Sequence, residues 1–147
     1  MVPERQLHYL CQPTSAAPVP EGVFVQSLPE FLRDEPACRL LWQLIDSQFK
    51  TRSKFLAIWP SVRFIITHRD PDQSVNGFIL ISAPVNWQID YVVVRPEARG
   101  KGAAAAMLRA AVTTAAAQNV PYIMLTSKES LRPLYESVGF RVVGDPA

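Results

Sequence analysis

Two basic residues and two glycines share one short turn of this 147-residue chain, Arg99-Gly100-Lys101-Gly102-Ala103-Ala104. Glycines this close let a backbone approach a ligand with no Cβ in the way. From Ala103 the composition turns helical, with four alanines and then Met107, Leu108, Arg109, Ala110 and Ala111. A turn that opens a helix leaves several N–H groups free, and the helix dipole adds partial positive charge there. Such a place suits a phosphate, and Arg99 and Lys101 bring two full charges to it. The residues predict an anion site for a phosphorylated ligand. The same spacing also fits a plain strand-to-helix turn with two solvated bases. It is not a Walker A loop, and it is not the G-x-G-x-x-G dinucleotide fingerprint, because position 105 is Ala and no acidic partner follows at the required distance.

The turn needs a strand before it. Trp87 to Val94 is aromatic and β-branched, and Pro96 stops it. Alternation predicts Trp87, Ile89, Tyr91 and Val93 on one face, and Gln88, Asp90, Val92 and Val94 on the other. Upstream, Val62–Thr67 and Val75–Ser82 read as strands, separated by a turn at Arg69–Gln73, with Pro84 ending the second. With Trp87–Val94 they form an antiparallel meander. Val23–Ser27 is a short first strand. Pro29 opens a helical region, Pro36–Phe49 is an amphipathic helix carrying Leu40, Leu41, Leu44, Ile45 and Phe49, and Ser53–Trp59 is a shorter one ended by Pro60. After the alanine helix, which Asn119 ends, come a strand at Tyr122–Thr126 and a helix from about Ser130 with Pro133 in its first turn. Gly139 ends that helix, and Phe140–Val143 is a last strand. The order is β-α-α-β-β-β-α-β-α-β. Residues 1–20 hold four of the 13 prolines and read as an irregular N-terminal arm that Tyr9 and Leu10 could anchor; 21–147 read as one domain.

Composition narrows the function classes. A formal net charge of +2, with bases scattered along the chain, argues against nucleic acid as a partner. No segment is long and apolar enough for a membrane span, and no signal peptide stands at the start. Two cysteines, Cys11 and Cys38, suit a reducing compartment, so a cytoplasmic protein is expected. His8 and His68 have no partners at metal-ligand spacing, and no metal is assigned.

Arg99-x-x-Gly102-x-Ala104, after a valine-rich strand and Arg95-Pro96-Glu97, resembles the acetyl-CoA signature of the GCN5-related N-acetyltransferases (GNAT). Leu134-Tyr135-Glu136-Ser137-Val138-Gly139-Phe140 resembles that family's second motif. Firm resemblance covers Trp87 to Val143, and weaker matching by element order reaches back to Glu21. The resemblance implies an α/β (α+β) GNAT fold, a mixed, mostly antiparallel sheet with helices on both faces. It implies acetyl-CoA as co-substrate and transfer of its acetyl group to a primary amine, directly, in a ternary complex. The amine would belong to a small molecule or a protein. The alternative is a non-catalytic acetyl-CoA-sensing or protein-binding module on the same fold, since fold alone does not confer activity.

By the same resemblance, Val92, Val93 and Val94 would offer backbone to the pantetheine arm, and Gly100, Lys101, Gly102, Ala103 and Ala104 would hold the pyrophosphate with Arg99 as charge support. Tyr135 would be the acid that protonates the departing thiolate, a sensible transfer from a phenol of pKa about 10 to a thiolate of pKa about 8.5. Some family members carry a Glu near Gln88, which takes no proton; Asp90, two residues on, is the candidate base. An Asn frequent in the family is Lys128 here. The family has one more strand after the sixth, whereas this sequence stops four residues past Val143. The exposed edge would need cover from the N-terminal arm or from a second subunit in a homodimer; a shortened chain end accounts for it equally well.

Overall fold

The strand Val75–Ser82 is buried along all but its last residue, so it needs cover on both faces. The computed structural model, which describes residues 4–13, 18–82 and 86–144, supplies that cover from two sets of helices. In chain order the elements are β1 (Gln6–Cys11), β2 (Val23–Ser27), α1 (Leu28–Arg33), α2 (Glu35–Gln48), α3 (Ser53–Ile58), β3 (Val62–Arg69), β4 (Val75–Ser82), β5 (Trp87–Val94), α4 (Ala103–Ala117), β6 (Ile123–Lys128), α5 (Arg132–Ser137) and β7 (Phe140–Val142). On one face, Ile66, Ile79 and Ile81 pack with Met107, Leu108, Ala110 and Ala111 of α4 and with Tyr135 near the end of α5. On the other, Ile65, Phe78 and Leu80 pack with Phe31, Leu41, Ile45 and Phe55 of α1 to α3. This is the expected mixed α/β sheet with helices on both faces.

Local chemistry explains the helix boundaries. Ser27 and Glu30 form a reciprocal capping box at the start of α1. The Asp34 side chain accepts from the Ala37 amide and starts α2. Asn119, at φ 56°, ends the alanine helix as its position predicted. The first helical region is thus two helices, α1 and α2, split by the Asp34 cap.

Among the described residues the sheet runs β2-β3-β4-β5-β6-β1-β7, and β5–β6 is its parallel pair. Two expectations need correction. The first is the irregular arm: Gln6–Cys11 is a strand inside the sheet, antiparallel to β6 along its whole length and to β7 from Tyr9 to Cys11. Leu7, Tyr9 and Cys11 alternate inward and are buried, so hydrophobic burial at period two anchors it despite the prolines that follow. It lies between β6 and β7. Residues 1–3 and 14–17 of the arm and the predicted stop at Pro84 lie outside the described residues. The second is the alternation along β5. Ile89 pairs with Ile81 but Tyr91 pairs with Leu80, so Asp90 is an extra, bulged residue. After it the faces exchange: Val92 and Val94 join Trp87 and Ile89 on the α4 side, and Tyr91 and Val93 turn to the other core.

Gly77 of β4 faces the β5 backbone with no room for a side chain. A Cβ there would sit 2.3 Å from the Val93 carbonyl oxygen and 3.1 Å from the Met107 methyl. Gly77→Ala is therefore expected to lower stability by about 2 kcal/mol or more through overpacking against backbone. Urea unfolding measures this, and a midpoint equal to that of the wild type would contradict the close approach.

Candidate active site

β5 and β6 bond at only two register pairs, Trp87 with Ile123 and Gln88 with Met124, and then part. The parting begins next to the Asp90 bulge, which bends its strand and raises its twist. The result is a cleft of about 690 Å³ between Asp90–Val94 on one lip and Leu125–Lys128 on the other. Its volume lies in the range of small-molecule sites. Gln88 stays at the closed end, where its amide nitrogen donates to the Ile89 carbonyl.

The ladder decides which backbone groups face the cleft. The Arg95 amide donates to the Asn76 carbonyl at 2.7 Å. Bonded and unbonded pairs alternate in an antiparallel ladder, so Val93 also bonds into β4, while Val92 and Val94 turn their N–H and C=O groups toward the cleft. The Val94 carbonyl accordingly accepts from Gln48 Nε2 at 3.3 Å and from Arg99 Nε at 3.2 Å. Arg99 also donates to Gln48 Oε1 at 3.1 Å, so its side chain folds back over the end of β5 and ties it to the end of α2.

Past Arg95 the chain makes a 3-10 turn over Pro96–Ala98 and then a loop in which Gly100 and Gly102 take φ of 77° and 82°. Both values lie in the left-handed region that glycine enters without penalty. The first bond of α4 runs from the Ala106 amide to the Gly102 carbonyl. Among the described residues, the backbone amides of 100–105 make no hydrogen bond of good geometry to another backbone group. They border a groove of about 250 Å³ lined by Gly100, Gly102 and Ala103 to Ala105, which shares Val94, Arg99, Ala104 and Leu134 with the cleft. Lys101 is not on this groove. It lines a separate cavity of about 120 Å³ with His68, Asp70, Asn76 and Arg95.

That second cavity borders a polar brace that sequence reading missed. Asn76, 3% exposed, donates from its side-chain amide to Asp70 Oδ1 (2.8 Å) and His68 Nδ1 (3.1 Å). Its carbonyl accepts from Arg95 Nε at 2.8 Å, and Arg95 Nη2 reaches Asp70 Oδ2 at 3.0 Å. Every hydrogen-bonding atom of the buried Asn76 side chain is satisfied, and the brace fixes Arg95, the residue that leads into the glycine loop.

Tyr135 and Asp90 both line the cleft. Tyr135 is buried, packs its ring 4.8 Å from Tyr9 and 6.0 Å from Phe140, and donates its hydroxyl to Ser127 Oγ at 3.1 Å. Burial pushes its pKa up and the Ser127 bond pulls it partly back, so the phenol holds its proton. Asp90 is half-buried, and its Oδ2 has no hydrogen-bond partner. Desolvation raises its pKa, with Ser82 contacts opposing. Gln6, Gln48, Thr126 and Ser127 also line the cleft and were not singled out from the sequence. Gln6 and Gln48 reach it only through strand pairing and helix packing, which no local pattern announces.

A raised carboxyl pKa in the fold has a definite sign. The unfolded chain ionises Asp90 first, so the folded state loses stability as pH rises through the ordinary carboxylate range toward the raised value. Asp90→Asn is expected to stabilise the fold at pH 7, with a gain that shrinks as pH falls toward about 4. Urea midpoints across that range test this; a loss at pH 7, or a gain independent of pH, would contradict the desolvated carboxylate.

The sequence model of the acetyltransferase (GNAT) domain matches residues 48–147. No curated protein matches the chain by sequence. Among solved structures, a GCN5-related N-acetyltransferase from Sphaerobacter thermophilus is similar at a TM-score of 0.71 and 20% identity, over 96% of this chain and 49% of that one. An acetyltransferase from Trypanosoma brucei is similar at 0.62 and 17%, over 85% and 96%. A fungal GCN5-related glucosamine N-acetyltransferase region is similar at 0.65 and 13%, over 94% of this chain and 20% of its multi-domain protein. The chain thus spans about half the length of the Sphaerobacter protein. The domain match takes in the parted strands, the glycine loop and the tyrosine helix together, more than half of the sequence, and on that ground the chain belongs to the GNAT acetyltransferase family.

Proposed function

We propose that this chain is an N-acetyltransferase that moves an acetyl group from acetyl-CoA to a primary amine, directly, with both substrates bound. The observation that carries the reading is the row of amides at 100–105, without well-formed backbone hydrogen bonds and beside a groove that opens into the cleft. Free N–H groups at a helix start, with the dipole behind them, fit a diphosphate. Arg99 adds charge at the junction of groove and cleft, while Lys101 acts at longer range from its own side of the loop. Acetyl-CoA supplies the activated thioester.

The chain's own groups divide the remaining work. The Val92 and Val94 backbone holds the pantetheine arm, and a cleft-facing N–H there polarises the thioester carbonyl. Phe49, Thr126 and Lys128 also line the cleft, and the amine is placed beside them. Asp90, with one oxygen unpartnered, takes the proton the amine sheds, directly or through water. As the C–N bond forms and the C–S bond breaks, Tyr135 gives its proton to the leaving sulfur. A small-molecule or protein amine fits the open cleft equally. The described residues contain no helix long and apolar enough to cross a membrane. Cys11 and Cys38 are free thiols, which supports a cytoplasmic setting.

Acetyl-CoA should raise the melting temperature, because a ligand of the folded state alone stabilises it. Thiol release with a panel of amines then separates an enzyme from a non-catalytic acetyl-CoA-binding module. Tyr135→Phe should cut kcat by about 100-fold and leave acetyl-CoA affinity within about twofold. An unchanged rate would remove its role as acid. Gly102→Val forces a β-branched residue to positive φ and puts its side chain into the groove, so the Kd for acetyl-CoA should rise at least about tenfold. Isothermal titration giving wild-type affinity would contradict the amide site.

A further inference from the structure

We propose that Tyr9, on the N-terminal strand, is a positioning residue for acetyl transfer, one that holds Tyr135 and the cleft lip of β6 in register with each other. The inference rests on Tyr135 being the proton donor of the reaction proposed above. β1 lies between β6 and β7, with Tyr9 opposite Leu125 on one side and Val142 on the other. Its side chain is 1% exposed and does not reach the cleft.

Tyr9 makes two contacts that close a ring of interactions. Its aromatic ring lies 4.8 Å from that of Tyr135, tilted by 43°. Its hydroxyl donates to the Lys128 carbonyl at 3.1 Å. Lys128 directly follows Ser127, whose Oγ receives the Tyr135 hydroxyl. One side chain therefore buttresses the Tyr135 ring and pins the backbone beside the group on which the Tyr135 proton points. Phe140 closes the other side of Tyr135, 6.0 Å away and edge-on. Leu7 and Cys11, on the same face of β1, already anchor the strand by burial. The Tyr9 hydroxyl adds nothing to that apolar anchoring; it bonds a carbonyl on the lip of the cleft. Burial raises its own pKa, so it remains a donor to Lys128 throughout.

Removing that tie should loosen the aim of the Tyr135 hydroxyl without touching the acetyl-CoA groove. Small misplacements of a reacting group are costly in rate, so Tyr9→Phe should lower kcat about three- to tenfold while KM for acetyl-CoA stays within about twofold. Tyr9→Leu, which also removes the ring, should lower kcat further. All rates are taken well below each variant's melting temperature, so unfolding does not contribute. The deciding measurement is a double-mutant cycle with Tyr135→Phe. If Tyr9 acts through Tyr135, adding Tyr9→Phe to Tyr135→Phe lowers kcat no further. A kcat for Tyr9→Phe equal to wild type, or the same fractional loss in both backgrounds, overturns the inference and leaves the acetyltransferase reading standing. A Tyr135→Phe variant as fast as the wild type removes both the proton donor and the residue proposed to position it.

Discussion

Two parallel strands that bond at two register pairs and then part are the constraint on which the rest of this molecule depends. A parallel pair normally continues until a strand ends, because each lost rung leaves an N–H or C=O without a partner. Here the rungs stop beside a single inserted residue, Asp90, which turns β5 away from β6. The backbone groups of Val92 and Val94 are thereby left facing a cleft. The protein satisfies one of them itself, the Val94 carbonyl, through Gln48 and Arg99. A bulge thus produces both an opening in the sheet and a row of polar groups along its lip.

Holding such an opening requires rigidity on either side of it. On the β4 side, Gly77 lets the backbones of β4 and β5 approach closely, and Asn76 beside it anchors Arg95 through a fully bonded polar group. That places the start of the glycine loop. The loop itself is held more by conformation than by contacts: two positive-φ glycines set the amides, and a Cβ at either would meet nothing within 4 Å. The freedom of those amides is then a consequence of helix geometry, since the first residues of α4 have no preceding turn to bond to.

On the β6 side the rigidity comes from the opposite end of the chain. β1 lies against the full length of β6, and Tyr9 and Leu7 complete the core under α5. A surface ion pair, Arg5 with Glu129, and a contact from the Glu4 carboxylate to the Ser130 amide continue this attachment past the end of the strand. Exposed pairs of this kind contribute little stability. Buried strand residues and cross-strand bonds carry the attachment.

The sequence by itself determined what depends on neighbouring residues. The helix ends at Asn119 and Gly139, the glycine loop, the alanine helix and the valine strand follow from side-chain and dihedral chemistry acting over a few residues, and they were legible as such. The stretches that hold Tyr135 and the glycine loop also stood out, because their motifs are contiguous, but that Lys101 lies off the groove did not show. Tertiary structure alone decided the pairing of Gln6–Cys11 with Ile123–Lys128, the bulge at Asp90 and the network around Asn76. Each of these joins segments distant along the chain, or depends on the register between two strands. A run such as QLHYLC alternates as a strand should, but nothing in it names its partner. A bulge leaves no local trace when every flanking residue fits either face. Pairing energy between remote segments is realised only once the core that aligns them has formed, so the residues that contact Tyr135 from other strands could be found only in the folded chain.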